Sequence, residues 1–184
     1  KVFKLKNSMK SYYVDLRNIK KLSNTIKKVN PDMIFHLAAQ PYVLKSYENP
    51  IETISSNIIG LANLLEASRG LKKLKAILNV TTDKCYENLE QNIPFKESDR
   101  LGGKDIYSAS KACSEIISKS YFQSFFEDLN INLSTARAGN IIGGGDFGEN
   151  RLVPDLIEAV EKNKFLYVRS PNSVRPWQHV FDVL

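Results

Sequence analysis

Cysteine, histidine and tryptophan are scarce in this chain of 184 residues, numbering two, two and one. Cys85 and Cys113 form neither a CxxC pair nor a disulfide framework, so a reduced, cytoplasmic setting is expected. His36 and His179 lie far apart with no cysteine near them at ligand spacing, so no metal is expected and both read as structural. No stretch approaches the roughly 18 consecutive apolar residues of a membrane span. The segment Lys1–Lys10 alternates lysine with Val, Phe and Leu and lacks the apolar block of a secretion signal. A membrane partner is therefore not expected.

What is abundant is lysine: 26 basic residues against 20 acidic ones give a net charge of +6. The lysines come as scattered pairs, Lys20-Lys21, Lys27-Lys28 and Lys72-Lys73, which suits solvated helix faces better than one basic patch. No nucleic-acid partner is expected.

With 42% hydrophobic residues the chain can bury a core of ordinary size. Three apolar runs, Met33 to Ala39, Ala76 to Val80 and Leu133 to Ile142, read as strands buried on both faces, as in a parallel sheet covered by helices. Between them the period changes to that of helices. Leu16, Ile19, Leu22, Ile26 and Val29 form one stripe, ending at Asn30-Pro31. Ile51, Ile54, Ile58, Leu61, Leu64 and Leu65 form a second from Pro50 to Ser68, with Gly70 as the stop. A third helix is expected from Asp105 to about Asp128, and a fourth after Pro154. The alternation predicts a Rossmann-like, doubly wound α/β sheet, whose ligands bind beyond the carboxyl ends of the strands.

Residues of chemical interest do follow those runs. Gly143, Gly145 and Gly148 satisfy GxGxxG, but the third glycine precedes the expected helix start at Pro154, and Arg169 rather than an acid closes the next apolar run, Phe165 to Val168. A loop near the site is the simpler reading. Tyr107 and Lys111 stand one helical turn apart, and of the eight tyrosines only Tyr107 has a lysine four residues on. A phenol with an ordinary pKa near 10 is a poor base, and a neighbouring ammonium favours its phenolate. Alone, the pair could equally be the surface of an amphipathic helix. Thr82-Asp83-Lys84 offers a hydroxyl, a carboxylate and an amine at a strand end, or a polar turn leaving that strand.

Taken together, five segments resemble the extended short-chain dehydrogenase/reductase family, and within it the CDP-glucose 4,6-dehydratases: His36 to Pro41, Thr82 to Asn88, Tyr107 to Lys111, Arg137 to Asp146 and Arg175 to Val180. The resemblance implies NAD as cofactor and a nucleotide sugar as substrate. By it, Tyr107 removes the proton of the sugar 4-hydroxyl, Thr82 hydrogen-bonds that hydroxyl, and Lys111 holds the cofactor ribose and favours the Tyr107 phenolate. Lys84 takes the C5 proton and Asp83 protonates the departing 6-hydroxyl. Asp15, Ala38, Ala39 and Thr81 match cofactor-binding positions, along with Tyr107 and Lys111. Asn140, Arg151 and Arg175 match positions that hold the diphosphate and sugar, for which the planar guanidinium is suited.

The resemblance further implies residues 1–139 as an incomplete NAD-binding domain and 140–184 as part of a substrate-binding region. The family's glycine-rich loop is not found, so the chain reads as a fragment whose activity belongs to a longer parent. A homodimer is implied through the helices Pro50 to Ser68 and Asp105 to Asp128, with Ile54, Ile58, Tyr121 and Phe125 as candidates. Two alternatives stand beside the dehydratase: another 4-epimerase or 4,6-dehydratase of the same family, and a non-catalytic scaffold that kept the fold. Asp83 and Lys84 separate the first, because epimerisation needs no C5 base or C6 acid.

Overall fold

The computed structural model describes residues 8–91 and 93–184. The described residues up to 137 form one compact unit and residues 138–184 a second.

The first unit is built on a parallel sheet of three strands, β1 (Met33–His36), β2 (Ala76–Val80) and β3 (Asn132–Ala136), in the order β1-β2-β3. Helix α1 (Ile19–Val29) precedes β1, with the Asn18 side chain accepting from the Lys21 amide at its start. Asn30, in the left-handed conformation at φ 47°, ends it. After β1 come α2 (Val43–Glu48) and a long helical stretch over 50–68. That stretch consists of α3 (Pro50–Ile54), a π-helical turn (Ser55–Ile59) and α4 (Gly60–Ser68). Helix α5 (Ile106–Tyr121) follows β2. Its first turn is capped by Asp105, which accepts from the Ser108 amide, and it continues into a second π-helical turn (Phe122–Phe126).

The core lies on one face of the sheet, where Leu61 and Leu65 of α4, Ile77 of β2, Phe126 and Ile131 are buried together with Leu71 and Leu74. Burying side chains of this size contributes about 1.5–3 kcal/mol each. Along that face the inward residues of β2 meet α5 in sequence. Ile77 lies among the residues packed with Ile117 and Tyr121, Asn79 donates to Ser118 Oγ at 3.0 Å, and Thr81 donates to Glu115. Rising numbers on the strand thus meet falling numbers on the helix. Helix α5 runs antiparallel to β2 and brings its first turn to the strand's carboxyl end.

Two expectations need correction. Strand β1 is not buried on both faces among the described residues, since its Met33 and Phe35 are 55% and 61% exposed. The run Leu133 to Ile142 is not one strand either, because it breaks after Ala136 and resumes as β4 (Asn140–Ile142) in the second unit.

In the second unit β4 pairs in parallel with β5 (Trp177–His179). Gly139 makes this possible: a Cβ there would lie 2.7 Å from the carbonyl oxygen and ring of Pro176. Helix α6 (Leu152–Glu161) starts two residues before Pro154, and no strand forms over Phe165 to Val168. A short helix α7 (Val180–Val183) is capped reciprocally by His179 and Asp182, which gives His179 a structural task.

Candidate active site

Because the sheet of the first unit is parallel, the carboxyl ends of its strands share one edge, and the segments leaving them sit side by side there. Ala38, exposed, and Ala39, half-buried, follow β1; Thr81 and Thr82 follow β2; Arg137 follows β3. Thr81 and Thr82 are buried, and the Thr81 amide extends the ladder by donating to Ala136 O at 2.8 Å.

A single turn of 3₁₀ helix, Asp83–Cys85, begins at once, with Thr82 as its cap. The three polar side chains of this turn are linked to each other. Thr82 Oγ1 donates to Asp83 Oδ1 at 3.0 Å, and Lys84 Nζ donates to the same oxygen at 3.1 Å. The turn packs against α5 through Cys85, Tyr86 and Ala112. Burial and the charge of Glu115 push the Cys85 thiol up to about 11, so it stays protonated and serves as packing.

Tyr107 and Lys111 lie on the first two turns of α5, both 8% exposed. Lys111 Nζ reaches the strand end itself, donating to Val80 O at 3.2 Å. Its pKa is lowered by loss of hydration, with the Glu115 carboxylate pulling the other way. His36, at the end of β1, is pushed down to about 4, first by burial and then by the nearby charge of Lys111, and is a neutral imidazole at pH 7. Nine of the positions singled out in the sequence therefore lie in this unit. Of these, Thr81, Thr82, Asp83, Lys84, Tyr107 and Lys111 gather around the end of β2.

Asp15 stands apart. It is exposed and held in a bidentate ion pair with Arg17 (2.6 Å at its closest), which lowers its pKa to about 2. The remaining three positions lie in the second unit. The Asn140 amide opens β4 by donating to Pro176 O at 2.9 Å, next to the exposed Arg175. Arg151 is paired with Asp146 at 2.8 Å, and Asp146 also accepts from the Gly148 amide at 3.1 Å. Gly148 lies outside α6 and its N–H is taken by a carboxylate, which fits a loop better than a phosphate-binding turn.

Sequence reasoning passed over four buried polar residues that support this edge. Asn57, in the first π-helical turn, accepts from the Gln40 amide (2.8 Å) and donates to Gln40 O (3.1 Å) and Ser110 Oγ (2.9 Å). It thereby ties the segment after β1 to α5. Ser114 Oγ also donates to Asn57 O at 3.3 Å. Glu115 accepts from Thr81, from Thr135 at 2.8 Å and from Arg137 at 2.8 Å. The available signal was position: Glu115 is one turn beyond Lys111 and two beyond Tyr107, on the face that had to be buried.

A parallel sheet with a tyrosine–lysine helix crossing to its carboxyl edge defines a Rossmann-like α/β domain. The chain belongs to the GDP-mannose 4,6 dehydratase family, whose profile matches residues 1–184. It is 43% identical over 188 aligned residues to the CDP-glucose 4,6-dehydratase of Salmonella typhimurium, covering 100% of this chain and 52% of that protein. Among solved structures it resembles the UDP-glucose 4-epimerase of Thermotoga maritima with UDP-glucose. There the TM-score is 0.87, with 22% identity and 100% of this chain against 59% of the other, a likeness of fold. The Thermus thermophilus UDP-glucose 4-epimerase in complex with NAD gives a TM-score of 0.81 at 28% identity, over 92% of this chain and 56% of that one. The chain spans about half the length of these relatives.

Proposed function

We propose that the complete protein carrying this chain is a nucleotide-sugar 4,6-dehydratase that converts CDP-glucose to CDP-4-keto-6-deoxyglucose with bound NAD. The observation that carries this reading is the linked Thr82-Asp83-Lys84 turn packed against the helix of Tyr107 and Lys111, supported by the 43% identity to a CDP-glucose 4,6-dehydratase.

The residues at the sheet edge suit NAD: small Ala38 and Ala39 leave room beside the strand ends, Lys111 offers a buried cationic donor, and Thr81 lines the same edge. Asp15 would meet the adenine end after exchanging Arg17 for it. NAD would accept a hydride from C4 of the sugar and return it to C6. The protein's own groups do the rest. Tyr107 takes the proton of the 4-hydroxyl, and Thr82 orients that hydroxyl. Lys111, a cation with most of its hydration removed, favours the phenolate.

Once C4 is a ketone, the C5 proton is acidic, and elimination needs a base at C5 and an acid at O6. The resting Lys84–Asp83 ion pair holds the right number of protons for this. Moving one proton from Nζ to Oδ1 turns the pair into an amine and a carboxylic acid without exchange with solvent. Lys84 then takes the C5 proton and Asp83 protonates the departing hydroxyl as water. Lys84 returns its proton to C5, and the proton that Tyr107 took from the 4-hydroxyl restores the one Asp83 gave up, so the site is reset and the product differs from the substrate by one water.

Asn140, Arg151 and Arg175 would hold the diphosphate and sugar, Arg151 by exchanging Asp146 for phosphate oxygens. A cytoplasmic homodimer is proposed through the helices at 50–68 and 105–128. The sequence candidates Ile54, Ile58, Tyr121 and Phe125 are half-buried, and Phe125 is covered by the Arg69 guanidinium at 3.9 Å. Ile51, Ile59 and Ile116 are the more exposed apolar residues of these helices and the better contact points.

The function is tested by incubating the complete protein with NAD and CDP-, dTDP-, UDP-glucose and GDP-mannose in turn. The reading expects loss of one water by mass from CDP-glucose first. Interconversion of hexoses without loss of water would favour the 4-epimerase.

A further inference from the structure

Glu115 is a carboxylate only 5% exposed, and the reaction just described gives it no task. Its surroundings are unusually complete. One oxygen accepts from Thr81 at the end of β2, the other from Thr135 of β3 and from Arg137. Burial alone would raise its pKa, but the hydrogen bonds from Arg137, Thr81 and Thr135 outweigh that and hold it ionised. Arg137 extends the link outward. Its guanidinium lies 4.8 Å from the centre of the Tyr86 ring, which stacks on Phe95 at 4.6 Å, and its other arm donates to Glu97 O at 2.9 Å.

The pair therefore joins, at one point, α5, the ends of β2 and β3, and both ends of the segment that carries Asp83 and Lys84. Thr81 precedes that segment and Tyr86 follows it. Tyr107 and Lys111 lie on the same helix as Glu115, two turns and one turn away.

We infer that Glu115 and Arg137 are positioning residues that set the Asp83–Lys84 acid–base pair at a fixed distance from Tyr107 and Lys111. This rests on the dehydratase reading, in which one sugar must meet both pairs in succession. Thr82 and Tyr107 act at O4, whereas Lys84 and Asp83 act at C5 and O6. Loosening the tether would shift the turn relative to α5, which leaves oxidation at C4 largely intact and slows elimination. A misplacement of about 1 Å at a reacting centre can cost on the order of 10²-fold in rate.

The test uses the complete protein with NAD and CDP-glucose and a double variant, Glu115→Leu with Arg137→Met. Removing both partners leaves no unpaired buried charge, and such replacements are often neutral in stability. The expected result is a melting temperature near wild type, turnover reduced roughly 10- to 100-fold, and reduced nicotinamide accumulating in the steady state by its absorbance. Arg137→Lys keeps the charge but loses the fork and the ring contact; it should show the same signature more weakly, and it carries the test if the double variant does not fold. A folded variant with wild-type turnover, or with both half-reactions slowed equally and no accumulation, overturns the assignment alone. A wild-type protein that releases no water overturns the dehydratase reading, and this assignment with it.

Discussion

At the scale of single residues the two halves of the proposed chemistry sit on different elements, so they can be separated by substitution. Tyr107→Phe in the complete protein removes the group that opens the reaction; turnover should fall about 10²- to 10⁴-fold with little change in nucleotide-sugar affinity. Lys84→Met leaves oxidation at C4 possible and removes the C5 base, so reduced nicotinamide should build up with little dehydrated product. Stopped-flow absorbance distinguishes the two: signal without product for Lys84→Met, and neither for Tyr107→Phe. Normal product from either variant would remove that residue from the mechanism. His36 gives a prediction of another kind. Its folded pKa, about 4, lies below the ordinary histidine value of 6.5, so the unfolded chain binds its proton more readily. The stability this represents is present above about pH 6.5 and is lost as pH falls towards 4. The interval corresponds to about 3 kcal/mol at most. Urea midpoints of His36→Asn should fall less steeply than wild type across that window; parallel curves would show that His36 is protonated in the fold.

At the scale of elements, the antiparallel run of α5 across β2 is what brings Tyr107 to the strand end. It follows from a face on which Ile77, Asn79 and Thr81 meet successive turns of one helix. The periodicity of 50–68 and 105–128 showed both helices, and the apolar run at 76–80 showed the central strand. Neither π-helical turn was legible in the periodicity. At Ser55–Ile59 the helix opens where Asn57 turns its amide towards Gln40 and Ser110. The break of the run 133–142 was hidden for a similar reason: Arg137 is drawn aside by Glu115, and Gly139 by the approach of Pro176. Composition made that run look continuous, and tertiary contacts divided it. Asn57→Ala would leave the Gln40 backbone groups and Ser110 without this partner. It should cost about 1–3 kcal/mol in denaturant unfolding of the complete protein. An unchanged midpoint would mean that water replaces the amide without loss.

At the scale of the whole molecule, the chain matches its family from end to end yet spans about half of its relatives' length. Met33 and Phe35 of β1 and the apolar Ile51, Ile59 and Ile116 are exposed among the described residues, and the proposed dimer would cover the last three. The proposed dimer predicts that the complete protein sediments as twice its own mass at micromolar concentration; a monomer there would contradict it. The central claim concerns the reaction, and its distinctive feature is that hydrogen moves within one sugar while one water leaves. CDP-glucose carrying deuterium at C4, incubated with the complete protein and NAD, tests this directly by mass and by NMR. The account predicts a product lighter by one water with the deuterium on C6. Deuterium remaining at C4 of a hexose that has kept its water would contradict it.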